Sequence, residues 1–486
     1  MIKKILKICG GLIAFVLLLI IIASVAVMFV VNKELVENQM RKALNRHVQI
    51  QDISVGIFSI VSGFEVKKVA ISNFKTERQL EALKGRPVSP GDVFVSMQSM
   101  RLKLKFLPLL KKQFVLKEFV MYTPTINIAR SKEGVFNFDD LLKPKKLTKE
   151  EQAELEKQKA EEAKKPKEPS KPFTVDDIPV AINIGEVGVK DGTVNYYDGK
   201  LDQKFQVYKL TSVVHDIVID PKALEKKDNA KVKIYMGVRT VGPMKSGSVE
   251  SFDITGDIVG NVKPFDLKTR KLDPEVSLHV GSPEGQITGL QIFNAMAGNN
   301  ILGKYLGDAL SFLKGKQSWK GSKLAYVDLW YKAGIAKLSN GNLKLQECRL
   351  LFEGTTNTKT KALDVPLELE TLKERTSAIK VGLRRQIESG LKRLGAKKYA
   401  NPEKITETAM KPLLNKNGMV YMKFKVTGTT NDPTATLTYP QLGSLDEIIK
   451  QVAGDVLMEA GKEAGKKAIE DGGKKLLKKV PKIKLF

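Results

Sequence analysis

The feature that most restricts this chain is Ile8 to Val31, ICGGLIAFVLLLIIIASVAVMFVV, a run of 24 residues without a charge. At about 1.5 Å per residue it reaches about 36 Å as a helix, enough for a hydrocarbon core of about 30 Å with some tilt. Lys3, Lys4 and Lys7 precede it with no acidic residue among them. The positive-inside bias keeps that basic end in the cytoplasm and sends the chain after Val31 across the membrane. The expectation is a cytoplasmic stretch 1–7, a single-pass anchor 8–31 and a bulk that works on the far side. The competing reading is a cleaved signal peptide, with Leu12 to Ile22 as its apolar region and Ser24-Val25-Ala26 as its cleavage site. The apolar run continues five residues past Ala26, which favours the anchor. Cys9 precedes most of the run, whereas a lipidated cysteine follows it.

The 486 residues leave material for about two to three domains. Cys9 and Cys348 are the only cysteines, so a disulfide framework and a Cys-rich zinc site are excluded. A net charge of +27 ordinarily raises nucleic acid as a partner. Here the basic surface lies across the membrane from the genome and no interleaved aromatic and basic signature occurs, so no nucleic acid is expected. Anionic phospholipid headgroups are the natural counter-charge, worth about 1 kcal/mol per Lys or Arg near the surface. The plain alternative for many of these lysines is a solvated face.

Lys33 to Asn45 places Leu35, Val36, Met40, Ala43 and Leu44 at helical spacing. The pattern then turns to period two. Met100, Leu102, Leu104 and Phe106 alternate with Arg101, Lys103 and Lys105. The same alternation recurs at Val232, Ile234, Met236 and Val238, at Phe252, Ile254 and Ile258, and at Val420, Met422, Phe424 and Val426. Asp191-Gly192, Asn340-Gly341 and Asn417-Gly418 read as turns between strands. Helical pattern is confined to Gln291 to Leu313 and Leu372 to Leu394. Lys143 to Pro172 is charged, bounded by prolines and unable to bury a core, which makes it a linker or exposed helix. The expected organisation is an N-terminal β region 32–142, a linker 143–173, a second β region 174–442 with helical inserts near 291–313 and 372–394, and a C-terminal segment 443–486.

That last segment opens on Ser444-Leu445-Asp446-Glu447, a capping box. Leu445, Ile448, Ile449 and Val452 begin an apolar stripe, and the tail carries Lys474, Lys475, Lys478 and Lys479. These are candidate membrane contacts of an interfacial amphipathic helix; a helix packed on the protein's own sheet is the alternative.

No catalytic constellation is found. His47, His215 and His279 stand far apart, Gly315-Lys316-Gln317 fails the phosphate-loop pattern, and loop acids such as Asp139, Asp140, Asp176 and Asp177 serve more readily as caps. The expectation is a protein that is not an enzyme, with no metal and no cofactor. What the pattern demands is a use for strands with one apolar face. They bury it on each other, on helices, or on something that is not protein. A curled sheet whose concave face holds acyl chains is the third solution.

Several short segments, in this order, resemble the AsmA family: the single N-terminal anchor, Glu133-Gly134-Val135-Phe136-Asn137-Phe138-Asp139-Asp140-Leu141-Leu142, Ile184 to Asp198 (IGEVGVKDGTVNYYD), and Val426 to Thr434 (VTGTTNDPT). The resemblance implies a bacterial inner-membrane protein, N-terminus cytoplasmic and bulk periplasmic, with an elongated, groove-shaped antiparallel β-sheet tied to phospholipid movement and outer-membrane integrity. It implies no catalytic residue. On this reading Leu102, Leu104, Phe106, Val232, Ile234, Met422 and Phe424 are candidate groove-lining residues. The partners are membrane lipids, anionic phospholipids foremost, and an envelope protein. The alternative is a scaffolding protein with a closed β core. A third reading uses the basic faces as an adaptor for acidic envelope polymers.

Overall fold

The computed structural model describes residues 33–56, 61–105, 108, 111–142, 173–241, 251–429 and 432–477. The anchor 8–31 and residues 143–172 of the charged segment lie outside these. Among the described residues no helix is long and apolar enough to cross a membrane. Over the described residues the fold is mainly β, with 18 strands in mixed pairing and shorter helical pieces. It divides into two compact units, Met1–Gly285 with Asp328–Gly334, and Gln286–Val327 with Ile335–Phe486.

The first unit begins with α1 (Lys33–Leu44), whose Met40 and Leu44 are buried among residues of the strands that follow. Strands β1 (Arg46–Gly56), β2 (Val61–Phe74), β3 (Val93–Lys105) and β4 (Gln113–Tyr122) pair antiparallel in chain order. Helix α2 (Glu77–Ala82), with a Thr76/Gln79 capping box, links β2 to β3. Strand β5 (Thr125–Arg130) and the short α3 (Asp139–Leu142) follow.

Strand β6 (Ala181–Asp198) runs parallel to β4 over Phe114↔Ile182 to Tyr122↔Lys190, and then parallel to β5 over Thr125↔Thr193 to Arg130↔Asp198. Parallel neighbours need a long crossover, which the chain between β5 and β6 provides. The strands on either side of the charged segment therefore lie side by side in one unit, and the division between units falls near residue 285 instead. From β6 the sheet continues antiparallel through β7 (Gln203–Ile219), β8 (Asp228–Val241), β9 (Ser251–Phe265) and β10 (Leu272–Gly281). Two further strands, β11 (Glu284–Thr288) and β13 (Ala325–Lys332), straddle the division, with β12 (Gln317–Lys320) between them in the chain.

Two of the three expected turns are not turns. Asp191 lies inside β6, and Asn340 lies inside β14 (Ile335–Lys344); both have positive φ, near 55°, and the ladders shift register beside them. They are β-bulges, which bend a strand and raise its twist without ending it. Only Asn417-Gly418 turns the chain, with Gly418 at φ 73° and the Asn415 N–H donating to the Met419 carbonyl.

In the second unit β14, β15 (Cys348–Asn357), β16 (Leu363–Thr371), β17 (Tyr421–Thr429) and β18 (Asp432–Tyr439) pair antiparallel in succession. Its helices are α4 (Gln291–Ala297), α5 (Asn300–Leu306), a 3-10 stretch Gly307–Lys314, α6 (Lys373–Arg393), α7 (Pro402–Met410) and α8 (Leu445–Leu477). Val365, Leu367 and Leu369 of β16 and Met422, Phe424 and Val426 of β17 are buried, as is the Ile379, Leu383, Ile387, Leu391 stripe of α6. The Thr376 hydroxyl accepts from the Val420 N–H at 3.2 Å and bonds the Thr371 hydroxyl at 2.6 Å, which pins the first turn of α6 to these strands. This core is closed by protein.

Candidate functional site

Residues directly opposite each other in a ladder share a face, so the pairings of β6 to β10 define rows that cross the strands. One row is Val187, Val214, Val232, Gly260 and Leu278. The next is Val189, Ser212, Ile234, Ile258 and Val280. A third is Val194, Val207, Val238 and Ile254. The opposite face carries polar rows. Asn195 donates to Asn127 at 2.9 Å, Gln206 to Asn195 at 2.8 Å and Arg239 to Gln206 at 2.6 Å, while Lys231 and Lys233 stand exposed.

The bulges keep this division intact. In β6 the apolar residues run Ile182, Ile184, then Val187, Val189, then Val194, Tyr196; in β7 they run Phe205, Val207, then Leu210, Val214, then Ile217, Ile219. A strict period of two would turn some of each set outward. The positive-φ residues Asp191, Lys209 and Asp216, with register shifts in the adjoining ladders, reset the phase. They also bend the strands. Phe205 of β7 and Phe252 of β9 have ring centroids 6.3 Å apart although β8 lies between them. Two strand spacings in a flat sheet amount to about 9.6 Å, so the rings lean toward each other over the small Thr240 of β8. The apolar face of β6 to β10 is thus a continuous floor, called the trough below, whose rows run across the strands.

Every apolar side chain of the three rows is half-buried, neither sealed nor fully exposed. At the β1 to β4 end the floor grades into a filled core of Val48, Ile50, Phe64, Phe119 and Met121, on which α1 residues and Phe138 and Leu141 also pack. One rim is closed by Val175, Ile219, Leu224 and Phe265, all buried. Beside them Asp228 is buried with one oxygen accepting from the Phe265 N–H, and burial pushes its carboxyl pKa up. Along the other rim the rings of Phe138, Phe136, Tyr196, Phe205 and Phe252 follow one another at centroid separations of 5.1, 6.5, 5.9 and 6.3 Å.

The segment 133–142 holds that aromatic rim in place. Asn137 donates to the Asn127 carbonyl and to Asn73, each at 2.9 Å, and accepts from the Ala129 N–H at 3.0 Å. Arg46, fully buried, donates to Asp140 at 2.6 Å and to the Asn137 carbonyl at 3.0 Å. Burial lowers the Arg46 pKa, and Asp140 opposes that shift. At the end of β6, Asp198 accepts from Arg130 at 3.1 Å, from the Tyr196 hydroxyl at 2.9 Å and from the Lys200 and Leu201 N–H groups. Burial opposes ionisation of Asp198, but these donors outweigh it and hold its pKa below the usual carboxylate value. Burial, with the Asp198 bond second, pushes the Tyr196 hydroxyl up to about 12. Among the described residues no group of His, Cys, Asp and Glu side chains is arranged to hold a metal ion.

The candidate residues separate on this geometry. Val232 and Ile234 lie on the trough floor. Leu102 is buried in the core that fills the β1 to β4 end, and Leu104 packs against that core. Met422 and Phe424, at 0% and 1% exposure, are sealed in the second unit and present no surface to a ligand. Phe106, Lys478 and Lys479 lie outside the described residues. Of the C-terminal candidates, Leu445 and Ile449 are buried, and Ile449 packs over Gly390 of α6, where an added Cβ would come within 3.0 Å of it. Ile448 and Val452 are half-buried, and Lys474 and Lys475 fall in the last turns of α8. The Ser444 hydroxyl accepts from the Glu447 N–H at 3.4 Å, as the capping pattern requires. The rows of β6, β7 and β10 were not among the expected lining. Their signal is an alternation that slips phase at an Asp or Lys.

The AsmA family model matches residues 2–411. The chain belongs to the AsmA family. The matched range includes strands β6 to β10, the 133–142 segment and α6 of this AsmA-family chain. No curated protein matches the chain. No solved structure matches it either.

Proposed function

We propose that this AsmA-family protein is a lipid carrier of the bacterial envelope, holding phospholipid acyl chains on the trough floor of β6 to β10 while the headgroup stays in water. One observation carries the reading. The same apolar alternation that is buried in the second unit is left half-buried, in continuous rows, in the first. An acyl chain of about fifteen methylenes costs about 12 kcal/mol to expose to water, at about 0.8 kcal/mol per methylene. Continuous apolar rows remove much of that cost, and a contiguous apolar patch on a protein surface marks an interaction site. Envelope association is general to the family. On this reading the apolar stretch 8–31 is an inner-membrane anchor and the trough works in the periplasm, with anionic phospholipids as cargo and outer-membrane integrity as the outcome. The reading assigns no catalytic residue and no cofactor.

A scaffolding role, with an envelope protein as partner, finds its support in the closed, helix-covered core of the second unit. The two readings part on a direct measurement. Native mass spectrometry and lipid extraction of the full chain, purified from a bacterium and exchanged into a lipid-free amphipol, should show bound phospholipid. Ile234→Asp together with Ile258→Asp should remove it while the circular dichroism spectrum persists. Lipid retained by that variant, or wild-type protein that is stable and lipid-free, would transfer the case to the scaffold.

A further inference from the structure

The corner between α6 and α7 has no role in the trough, yet it is built in a particular way. Lys392, Arg393, Lys397 and Lys398 are all exposed, together with Leu394 at 41% and Tyr399 at 57%. The turn is rigid. Gly395 takes φ 71°, the Ala396 N–H donates to the Leu391 carbonyl at 3.0 Å, and Ala396 itself is fully buried. Asn401 then caps α7 by accepting from the Glu403 and Lys404 N–H groups. Six side chains are thus displayed by a backbone that is locked on both sides.

Their own stretch of chain supplies no counter-charge. No acidic residue occurs between Glu388 and Glu403. Those two carboxylates are already engaged, Glu388 with Arg384 at 3.0 Å and Glu403 with Lys380 at 2.8 Å and Arg384 at 2.7 Å. Helix electrostatics explain Lys392 and Arg393, which sit in the last turn of α6 where cations are favoured. They do not explain Lys397 and Lys398, which lie beyond it on the approach to the positive end of α7. Nor do they explain an exposed Leu and an exposed Tyr between the cations. A cluster of cations interspersed with an aliphatic side chain and an amphipathic aromatic one suits an interface where phosphate lies above hydrocarbon.

We propose that the α6–α7 corner docks on the surface of an anionic phospholipid bilayer, with the four cations on headgroup phosphates and Leu394 and Tyr399 inserted at the acyl boundary. This contact belongs to the second unit and stands apart from lipid carriage in the trough.

The test places a Tyr399→Trp variant of the full chain in phosphatidylcholine nanodiscs. These are mixed with vesicles of phosphatidylethanolamine and phosphatidylglycerol whose acyl chains are brominated. The introduced indole, read as the difference from the wild-type chain with its own Trp319 and Trp330, should be quenched by more than half, while brominated vesicles of phosphatidylcholine alone should leave it bright. Reversing the charges (Lys392→Glu, Arg393→Glu, Lys397→Glu, Lys398→Glu) should weaken vesicle binding by at least about a thousandfold and abolish the quenching, with the unfolding temperature kept as a check on the fold. The milder Lys397→Gln, Lys398→Gln pair should give an intermediate loss if the full reversal does not fold. An indole that stays bright with anionic vesicles overturns the proposal. So does quenching that charge reversal leaves unchanged, or capture by the corner of an acidic protein with no response to lipid.

Discussion

Gly256 and Gly260 lie four residues apart on the same face of β9, and the surroundings of their missing side chains are opposite. A Cβ on Gly256 would find nothing nearer than the Met236 carbonyl oxygen at 4.0 Å, while one on Gly260 would meet the Ser277 carbonyl oxygen at 2.2 Å and Leu278 at 2.6 Å. The trough floor is thus open at one glycine and closed by backbone at the other. Gly256→Leu should keep or slightly raise the unfolding temperature, since a strand glycine costs about 0.5–1 kcal/mol, and should cut bound lipid several-fold by filling the trough. Gly260→Ala should destabilise by about 1–3 kcal/mol through forced displacement of β10. Chemical denaturation and lipid extraction on the same samples check both.

Phe424 supplies the converse. It has the same alternating pattern as Ile234 but is sealed at 1% exposure. Phe424→Ala should cost about 3–5 kcal/mol of stability and leave the lipid carried per folded molecule unchanged. A selective loss of lipid, with stability intact, would contradict the division between an open and a closed core.

Asp198 gives the first unit a dependence on acid. Its folded pKa lies below the unfolded value, so its stabilisation is present above about pH 4 and is lost as pH falls through the folded pKa. Asp198→Asn should therefore lower the unfolding temperature at pH 7, and the gap to wild type should narrow as pH falls below about 4. Thermal melts across that range, followed by the aromatic signal of the Tyr196 and Phe136 rim, measure it. A gap that widens toward acid would contradict the assigned role.

Much of this fold was legible from alternation alone. Val232, Ile234, Met236 and Val238 read as a strand with one apolar face and form one. Helix α6 falls where Ile379, Leu383, Ile387 and Leu391 repeat every fourth position. What alternation could not carry was the fate of each face. Met422 and Phe424 have the pattern of Val232 and Ile234, yet one pair is sealed and the other half-buried, a difference set by tertiary packing that strand alternation does not carry. The bulges were hidden for a different reason. A left-handed Asp or Asn followed by Gly has the same local chemistry in a turn and in a bulge, so Asp191-Gly192 and Asn340-Gly341 looked like strand ends. With the phase slips at Asp191, Lys209 and Asp216 unrecognised, β6 and β7 did not show the continuous apolar face they possess.

The measurement that bears most directly on the central claim is site-specific photo-crosslinking in living cells, with a benzophenone side chain introduced in turn at positions 234, 258 and 278 of the floor, at outward-facing 233, and at sealed 424. The account predicts phospholipid adducts at the three floor positions and none at the other two. Adducts equally frequent at 233, or none at 234, 258 and 278 in a protein that still folds, would contradict it.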